Sequence, residues 1–224
     1  MSGIETGQVR VTLRDVRELL DLYNVQGQER DAVVEVAQQA RVRAWWQEYG
    51  DAPGIPMVGL QAAAYARAVI VALYPDLDDD QVERRVQLRM ARQSRMAEDD
   101  PPTFTAVLDE AVLQRRIGTA EAGLEQLLHL AAAADRPTVT LQILPFSAGA
   151  HAGLIGPFTI FRLPEDTDPD VVFLEQITRD LYLETAAELR QYSDAFERLR
   201  SQALSPRESV ERIRSLAAKL APEK

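Results

Sequence analysis

The spacing of hydrophobic residues changes twice along the chain. In roughly the first hundred residues, apolar positions recur every three or four residues, which predicts amphipathic helices. The four helices predicted there cover residues 11–23, 29–49, 60–74 and 81–96. Two prolines and two glycines between Gly50 and Pro56 interrupt this series. We therefore expect a hinge near residue 50.

Strand-like segments begin near residue 103. The alternating stretch Thr103–Leu108 favours a strand, and the predicted helix Glu121–Ala134 follows it. The remaining strand candidates are Val139–Leu144, Phe158–Leu163, Val171–Glu175 and the short Asp180–Glu184.

Helical spacing returns in the last part of the chain. It predicts helices over residues 186–203 and 206–220, the second beginning with a serine cap and a proline. Because consecutive strands lie between groups of helices, the order predicts an α+β fold instead of alternating βα units. We expect N-terminal helices, a central and mostly antiparallel sheet of about four strands, and two C-terminal helices.

The composition removes several classes of function. The chain has 25 basic and 35 acidic residues, a net charge of −10, two histidines and no cysteine. Without cysteine there is no disulfide scaffold, thiol nucleophile or thiolate metal site, and we expect neither a metal nor a cofactor. The negative charge disfavours DNA binding, which needs a basic face.

No apolar run reaches the roughly 18 residues that a membrane span requires, and the N-terminus lacks a signal-peptide pattern. We therefore expect a cytoplasmic protein without a membrane partner.

A serine hydrolase triad can be drawn from Ser147, His151 and either Glu175 or Asp109. The chain has no G-x-S-x-G segment to expose the serine on a strained turn. We therefore favour a structural role for His151 in the loop between two strands.

Acidic residues follow or end several predicted strands. Asp109, Glu110, Glu175 and Glu184 have this position, where burial can raise a carboxyl pKa. If the protein is an enzyme, Glu175 and Asp109 are the candidate acid–base residues. Pairing with arginine is the structural alternative, and we favour it.

Aromatic side chains near the predicted sheet could line an apolar pocket or fill the core. We expect a pocket between residues 141–146, residues 158–163 and the helix around Tyr65. The candidate ligand-binding residues are Tyr65, Phe104, Phe146, His151, Phe158, Phe173 and Tyr182. The adjacent Trp45 and Trp46 cannot both face inward on one helix, so one could serve an interface.

One predicted helix carries a run of arginines at positions 84, 85, 89, 92 and 95. This run is the best local candidate for contact with phosphate. Acidic residues flank it on both sides, at 76–80 and 98–100, and damp its field. We therefore expect these arginines to form intramolecular ion pairs.

Several stretches resemble a known family. They include YARAV (65–69), VERRVQLRMARQ (82–93), VLDEAVLQRRIG (107–118), residues 128–163, DPDVVFLE (168–175), DLYLE (180–184) and FERLRSQALSPRES (196–209). In this order they resemble the C-terminal domain of unknown function that accompanies an Xre-type helix-turn-helix in bacterial regulators of the WhiJ-like, antitoxin-like group. The resemblance implies a regulatory domain that senses a ligand or binds a partner, and it implies no catalytic residues.

The N-terminal residues resemble the tail of that helix-turn-helix. IETG (4–7) and VRELLDLYNV (16–25) look like its last helices, and the recognition helix is missing. The segment 51–64 is shorter than its counterpart in the family. We therefore divide the chain into a helix-turn-helix remnant with a linker helix, residues 1–50, and an α+β effector domain, residues 51–224.

The favoured function is a non-enzymatic effector domain of a truncated regulator. Its expected partner is a small apolar molecule or a small companion protein, and a homodimer is left open. The alternative is a stand-alone enzyme, such as a small-molecule cyclase of a secondary-metabolite pathway, in which a shaped apolar cavity folds the substrate.

Overall fold

A computed structural model describes residues 13–27, 29–30, 33–34, 60–163, 170–175 and 180–221. The chain forms two compact units. The first comprises Met1–Pro53 and Phe161–Val171, and the second comprises Gly54–Ile160 and Val172–Lys224. The division expected at residues 50 and 51 stays a prediction.

In the first unit, the predicted N-terminal helix is present as α1, Leu13–Leu22. Asn24 follows it with a φ of 54°, and the Val25 amide donates to the Leu20 carbonyl, 2.9 Å away. A left-handed residue at this position ends a helix. Of the second predicted helix, the described residues 29–30 and 33–34 are helical. Its remainder, both tryptophans and the expected hinge lie outside the described residues.

The second unit begins with a pair of helices, α2 (Ala63–Leu73) and α3 (Asp79–Ser94). A short 3-10 turn, Arg95–Ala97, extends α3. Ile70 of α2 packs against Val82 and Val86 of α3, and all three are buried. Helix α2 is buried on one face only, since Val71 and Leu73 are exposed.

The main core surrounds a pair of parallel strands. Strand β1 (Phe104–Asp109) is followed by the short helix α4 (Glu110–Gln114) and by α5 (Ala120–Ala134), and the chain then returns as β2 (Val139–Leu144). The strands pair in parallel, with Phe104 opposite Val139 and Asp109 opposite Leu144. The C-terminal helices α6 (Ala186–Gln202) and α7 (Pro206–Leu220) follow later in the chain, and α7 packs on α5 and β2.

The other strands form a second sheet. Its order is β3 (Thr159–Phe161), β4 (Val171–Leu174) and β5 (Leu181–Leu183), and β4 and β5 are antiparallel. Two 3-10 turns, Phe146–Ala148 and Ala152–Ile155, lie between β2 and β3.

The α+β class is confirmed, with seven α-helices and five strands among the described residues, and so are the two C-terminal helices. The single, mostly antiparallel sheet was wrong, because the strands are divided between a parallel pair and a three-stranded sheet. The long helical connection between β1 and β2 permits the parallel arrangement. In addition, β2 is buried at five of its six positions, as is typical of parallel strands.

Candidate functional site

Two groups of polar side chains in the second unit combine burial with incomplete hydrogen bonding. We call the first the arginine cluster; it contains Gln61, Tyr74, Arg85, Arg89, Arg92, Glu175, Asp180 and Tyr182. We call the second the strand-end cluster; it contains Asp109, Glu110, His151 and Arg212.

Helix α3 carries the arginines of the first cluster. Its start is fixed by a capping box, in which Asp78 accepts from the Gln81 amide and the Gln81 side chain accepts from the Asp78 amide. Arg85, Arg89 and Arg92 follow at intervals of four and three residues, which places them on neighbouring positions of one helix face.

Arg89 is buried, with 4% of its surface exposed. Its Nη1 donates to Oε1 of Gln61 over 2.7 Å. The Gln93 side chain donates to the Gln61 carbonyl over 2.9 Å and so holds that loop residue against α3. Arg89 Nε has no hydrogen-bond partner among the described residues. A buried guanidinium therefore keeps an unused donor.

Arg85 lies one turn earlier on α3. Its guanidinium carbon is 4.6 Å from the centre of the Tyr74 ring, which is cation–π geometry. Its Nη1 is buried and has no partner within the described part of the chain. The cluster therefore has two buried donor nitrogens without a partner among the described residues, one on each of two successive turns.

The charges of Arg89 and Glu175 influence each other in the arginine cluster. Burial lowers the pKa of Arg89, and the charge of Glu175 opposes this shift. Burial, reinforced by Asp180, raises the pKa of Glu175, and Arg89 opposes that shift. Each charge is thus disfavoured by burial despite the other, and no ion pair joins these two side chains in the described structure.

Tyr182 borders the same group. Burial and the charge of Asp180 raise its pKa to about 12, and Arg92 opposes the shift. Its ring packs edge to face on Phe173, with the centroids 4.9 Å apart. The arginine cluster therefore has an aromatic neighbour as well as charges of both signs.

The strand-end cluster lies where β1 and β2 finish. Because the strands are parallel, the residues that follow them meet at one edge, which is where open α/β sheets bind ligands. Asp109 caps α4 by accepting from the Ala111 amide, and its other oxygen is 3.3 Å from His151 Nε2. The His151 side chain is 7% exposed. Its Nδ1 is buried without a partner in the described ranges.

Gly153 lies against that free nitrogen. A Cβ atom at position 153 would be 3.1 Å from His151 Nδ1, so the backbone passes close to the imidazole ring. Nδ1 therefore lies against protein atoms on that side.

Glu110 joins the strand ends to the C-terminal helix. It accepts from the Phe146 amide over 3.1 Å, and its other oxygen is 3.6 Å from Arg212 Nη1 on α7. Its side chain is 6% exposed. Glu110, one of the strand-end acids, therefore lies beside an arginine.

The structure brings together some of the candidate site residues. Asp109 meets His151, and Phe173 meets Tyr182. Among the described residues, no hydrogen bond joins Ser147 to His151, so the drawn triad is not assembled. The two candidate acids have different surroundings, Asp109 in the strand-end cluster and Glu175 in the arginine cluster.

The other candidate residues are dispersed. Tyr65 is buried on α2, where burial raises its pKa and the charge of Arg115 opposes the shift. Phe104 packs against the main core, whereas Phe146 is exposed. Phe158 packs edge to face on Tyr192 of α6, with the centroids 5.0 Å apart.

Gln61 was not among the candidate residues predicted from the sequence, and Arg89 was not predicted to be a buried charge. A signal was present, because Val82, Val86, Arg89 and Gln93 recur at helical spacing and put the arginine on the inward face. The ion pairs expected for the arginine run form in part, as Arg95 pairs with Glu98.

A groove of about 190 Å³ lies between the end of α5, β2 and the start of α7, and Val139, Leu141 and Pro206 contribute to its lining. None of the candidate ligand-binding residues lines it. Within the described ranges, no group of three or more His, Asp and Glu side chains could hold a metal ion.

Across the described residues, no helix is both long and apolar enough to cross a bilayer.

Comparisons with known proteins identify a family. No curated protein and no solved structure shows a significant match to the chain. The family model described as "Domain of unknown function (DUF5753)" matches residues 51–215, most of the chain. The chain therefore belongs to the DUF5753 family.

Proposed function

We propose that this chain is a ligand-binding effector domain of an Xre-type transcriptional regulator, and that the arginine cluster is its binding site. The sequence resemblance supports the regulatory role. The observation that carries the binding role is the buried guanidinium of Arg89, which has an unused Nε donor.

A buried charge without full compensation destabilises the fold that contains it. Desolvation of an ion costs several kcal/mol, and partners must offset that cost. Arg89 has a neutral partner in Gln61, and Glu175, whose charge acts on it, forms no ion pair with it in the described structure. A bound ligand that accepts hydrogen bonds from Arg85 and Arg89 would supply the missing compensation. This chemistry favours a small polar molecule over the apolar one expected from the aromatic residues.

Thermal unfolding of the full chain tests this function. A ligand that binds the native state raises the unfolding midpoint, by an amount that grows with the logarithm of the ratio of its concentration to its Kd. We expect a panel of small carboxylates, phosphates and amino acids to contain molecules that raise the midpoint. Arg89→Gln should abolish these shifts.

Arg84→Gln is the matched control, because Arg84 is on the same helix and is exposed. It should leave every shift unchanged. A panel without any stabilising compound, or shifts that persist in Arg89→Gln, would contradict the proposed site. Stabilisation only by a companion protein encoded nearby would assign the binding function to a protein partner.

The cyclase alternative has one supporting observation, the contact between Asp109 and the buried His151. Such a pair could transfer a proton to or from a substrate. Disruption of the gene should then cause an uncyclised intermediate to accumulate. Reintroducing the wild-type gene should reverse this accumulation, and reintroducing the Asp109→Asn variant should not. An unchanged metabolite profile would remove the enzyme from consideration.

A regulator of this type acts in the cytoplasm, where its promoter is, and we propose that location for this chain. We also propose that the chain itself does not bind DNA, because its net charge is −10. Sedimentation of the purified chain would test whether it forms a homodimer.

A further inference from the structure

We propose that the outer edge of β1 is an interaction surface, to which an extended, basic segment of a protein partner adds as a third strand. This inference goes beyond the proposed function and uses no residue of the arginine cluster. It starts from the hydrogen bonding of the backbone of β1.

The backbone groups of β1 point in two directions. The Phe104 amide donates to the Thr138 carbonyl over 2.8 Å, and the strands pair in parallel. Alternate residues of a strand direct both their N–H and C=O groups to the same neighbour. The residues directed to β2 are therefore Phe104, Ala106 and Leu108. Those of Thr105 and Val107 point away from β2.

This outer edge of β1 is unpaired in the described part of the chain. Among the described residues, no hydrogen bond reaches the backbone N–H or C=O groups of Thr105 and Val107, and both residues are partly exposed. The outer edge of β2 differs, because the Ile143 amide donates to Oγ of Ser209. The free groups of β1 form a short template to which an extended peptide can add.

The side chains of β1 indicate what such a peptide would contact. Phe104, Ala106 and Leu108 pack against the main core, and Thr105 and Val107 point to the opposite face of the sheet. A third strand would place its own alternate side chains beside these two rows. We therefore infer a peptide with apolar residues on one face and β-branched residues on the other.

The charges around β1 favour a basic partner. The segment from Glu98 to Glu110 contains five acidic residues and no basic one. Glu98 and Glu110 lie beside arginines, and Asp109 contacts a histidine. Asp99 and Asp100 are exposed, and neither forms an ion pair within the described ranges. Lysine or arginine at the end of a partner strand would complement these two acids.

The same acids disfavour a second copy of this chain as the partner. In an antiparallel pair of β1 strands, the start of one strand lies near the end of the other. Asp99 and Asp100 of one copy would approach Asp109 of the other, and like charges repel. Pro101 and Pro102 shorten the edge further, which limits unspecific pairing. The occupant that fits is a segment of a different protein.

A labelled synthetic peptide tests this surface on the full chain, with fluorescence anisotropy as the measurement. The peptide alternates valine and threonine and ends in lysines. One control peptide ends in glutamates instead. A second control keeps the lysines but is N-methylated at every amide of the alternating segment, so it cannot donate to β1. We expect both controls to bind at least about tenfold more weakly than the first peptide.

Variants of the chain locate the binding. Val107→Pro removes an outward N–H group and keeps the ladder to β2, and it should weaken binding at least about tenfold. Asp99→Asn combined with Asp100→Asn should weaken it about fivefold, the effect of two exposed charge pairs. The matched control combines Asp79→Asn with Asp80→Asn, which removes the same charge from the exposed start of α3. It should leave binding unchanged.

The proposal has clear contrary outcomes. Circular dichroism establishes whether Val107→Pro is folded, and if it is not, the N-methylated peptide decides. Equal binding of the methylated and unmethylated peptides, or no binding of the latter, overturns strand addition. Unchanged binding to folded Val107→Pro does the same. A homodimer that dissociates in Val107→Pro would assign the edge to a second copy and overturn the basic partner. The ligand of the arginine cluster is unaffected by any of these results.

Discussion

At the scale of single residues, burial and local charge set the properties of Glu175. Its carboxyl group is half-buried, near Asp180 and within the field of Arg89. Desolvation is the largest influence and favours the protonated form, so the pKa is raised from 4.5. The folded state therefore holds a proton there more tightly than the unfolded state does.

This imbalance predicts a pH-dependent effect of Glu175→Gln on stability. The raised pKa gives a stabilising contribution that is present below pH 4.5 and is lost as pH rises through the pKa of the folded state. The neutral glutamine avoids that loss. We expect the variant to have a higher unfolding midpoint than the wild type at pH 7, in the absence of ligand.

The advantage of the variant should shrink as the pH falls toward 4.5. Thermal melts of both proteins between pH 4 and pH 8 measure this difference. A variant that is less stable than the wild type at pH 7 would show that the attraction to Arg89 outweighs desolvation at this position.

At the scale of elements, the outer edge of β2 is closed by the C-terminal helices. The Ile143 amide donates to Oγ of Ser209 on α7 over 2.9 Å, and the Ile143 carbonyl accepts from the Leu204 amide over 2.9 Å. The Gln142 side chain donates to the Leu204 carbonyl, also over 2.9 Å. These bonds replace a third strand, so the two-stranded sheet does not leave this edge unpaired.

Ser209→Ala tests this arrangement. Ser209 is fully buried, and the substitution leaves the Ile143 amide without its acceptor. An unsatisfied buried donor costs about 1–3 kcal/mol. We expect a loss of that size in the free energy of unfolding, measured by urea denaturation.

Ser201→Ala is the matched control. The Ser201 hydroxyl is exposed and bonds the Arg198 carbonyl within α6. Its removal should change stability by less than about 0.5 kcal/mol. Equal effects of the two substitutions would mean that the contact between Ser209 and β2 contributes little.

Element boundaries could be predicted from the sequence because their signals are local. The caps at Asp78, Thr119 and Ser205 each accept from an amide of the following turn, and these residue types are recognisable in the sequence. The pairing of β1 with β2 could not be predicted in this way. It depends on contacts across the core with α5 and α7, which are remote in sequence.

The candidate site was predictable only in part, for the same reason. Glu175 and Tyr182 were identified from their positions at predicted strands, and the arginine run was visible on its helix. The contact of Arg89 with Gln61 joins residues 28 positions apart, and no local pattern indicates it. The predicted pocket combined β2 with β3, which belong to different sheets.

At the scale of the whole molecule, net charge determines which partners can approach. The chain carries a net charge of −10, and the arginines that could offer a basic face are partly sequestered. Arg89 is buried, Arg85 lies on Tyr74, and Arg95 pairs with Glu98. Within the described ranges, Arg85, Arg89 and Arg95 therefore do not form a basic stripe that phosphate backbones could contact.

This distribution predicts that the chain does not bind duplex DNA at physiological salt. Fluorescence anisotropy of a labelled duplex from the upstream region of the gene should stay constant as protein is added. Lowering the salt concentration should produce no steep rise in affinity, since few counterions can be released. Saturable, sequence-specific binding would contradict the charge argument.

The closure of β2 by α7 also affects the order in which the protein can fold during synthesis. The strand is complete at residue 144, but Ser209, Ile213 and Ala217, which cover it and complete the core, are made more than 60 residues later. Contacts so distant in sequence form late, because a long loop must close first. A nascent chain that has not yet released α7 from the ribosome exposes β2 to other chains. This stage of synthesis is where chaperone protection is most needed.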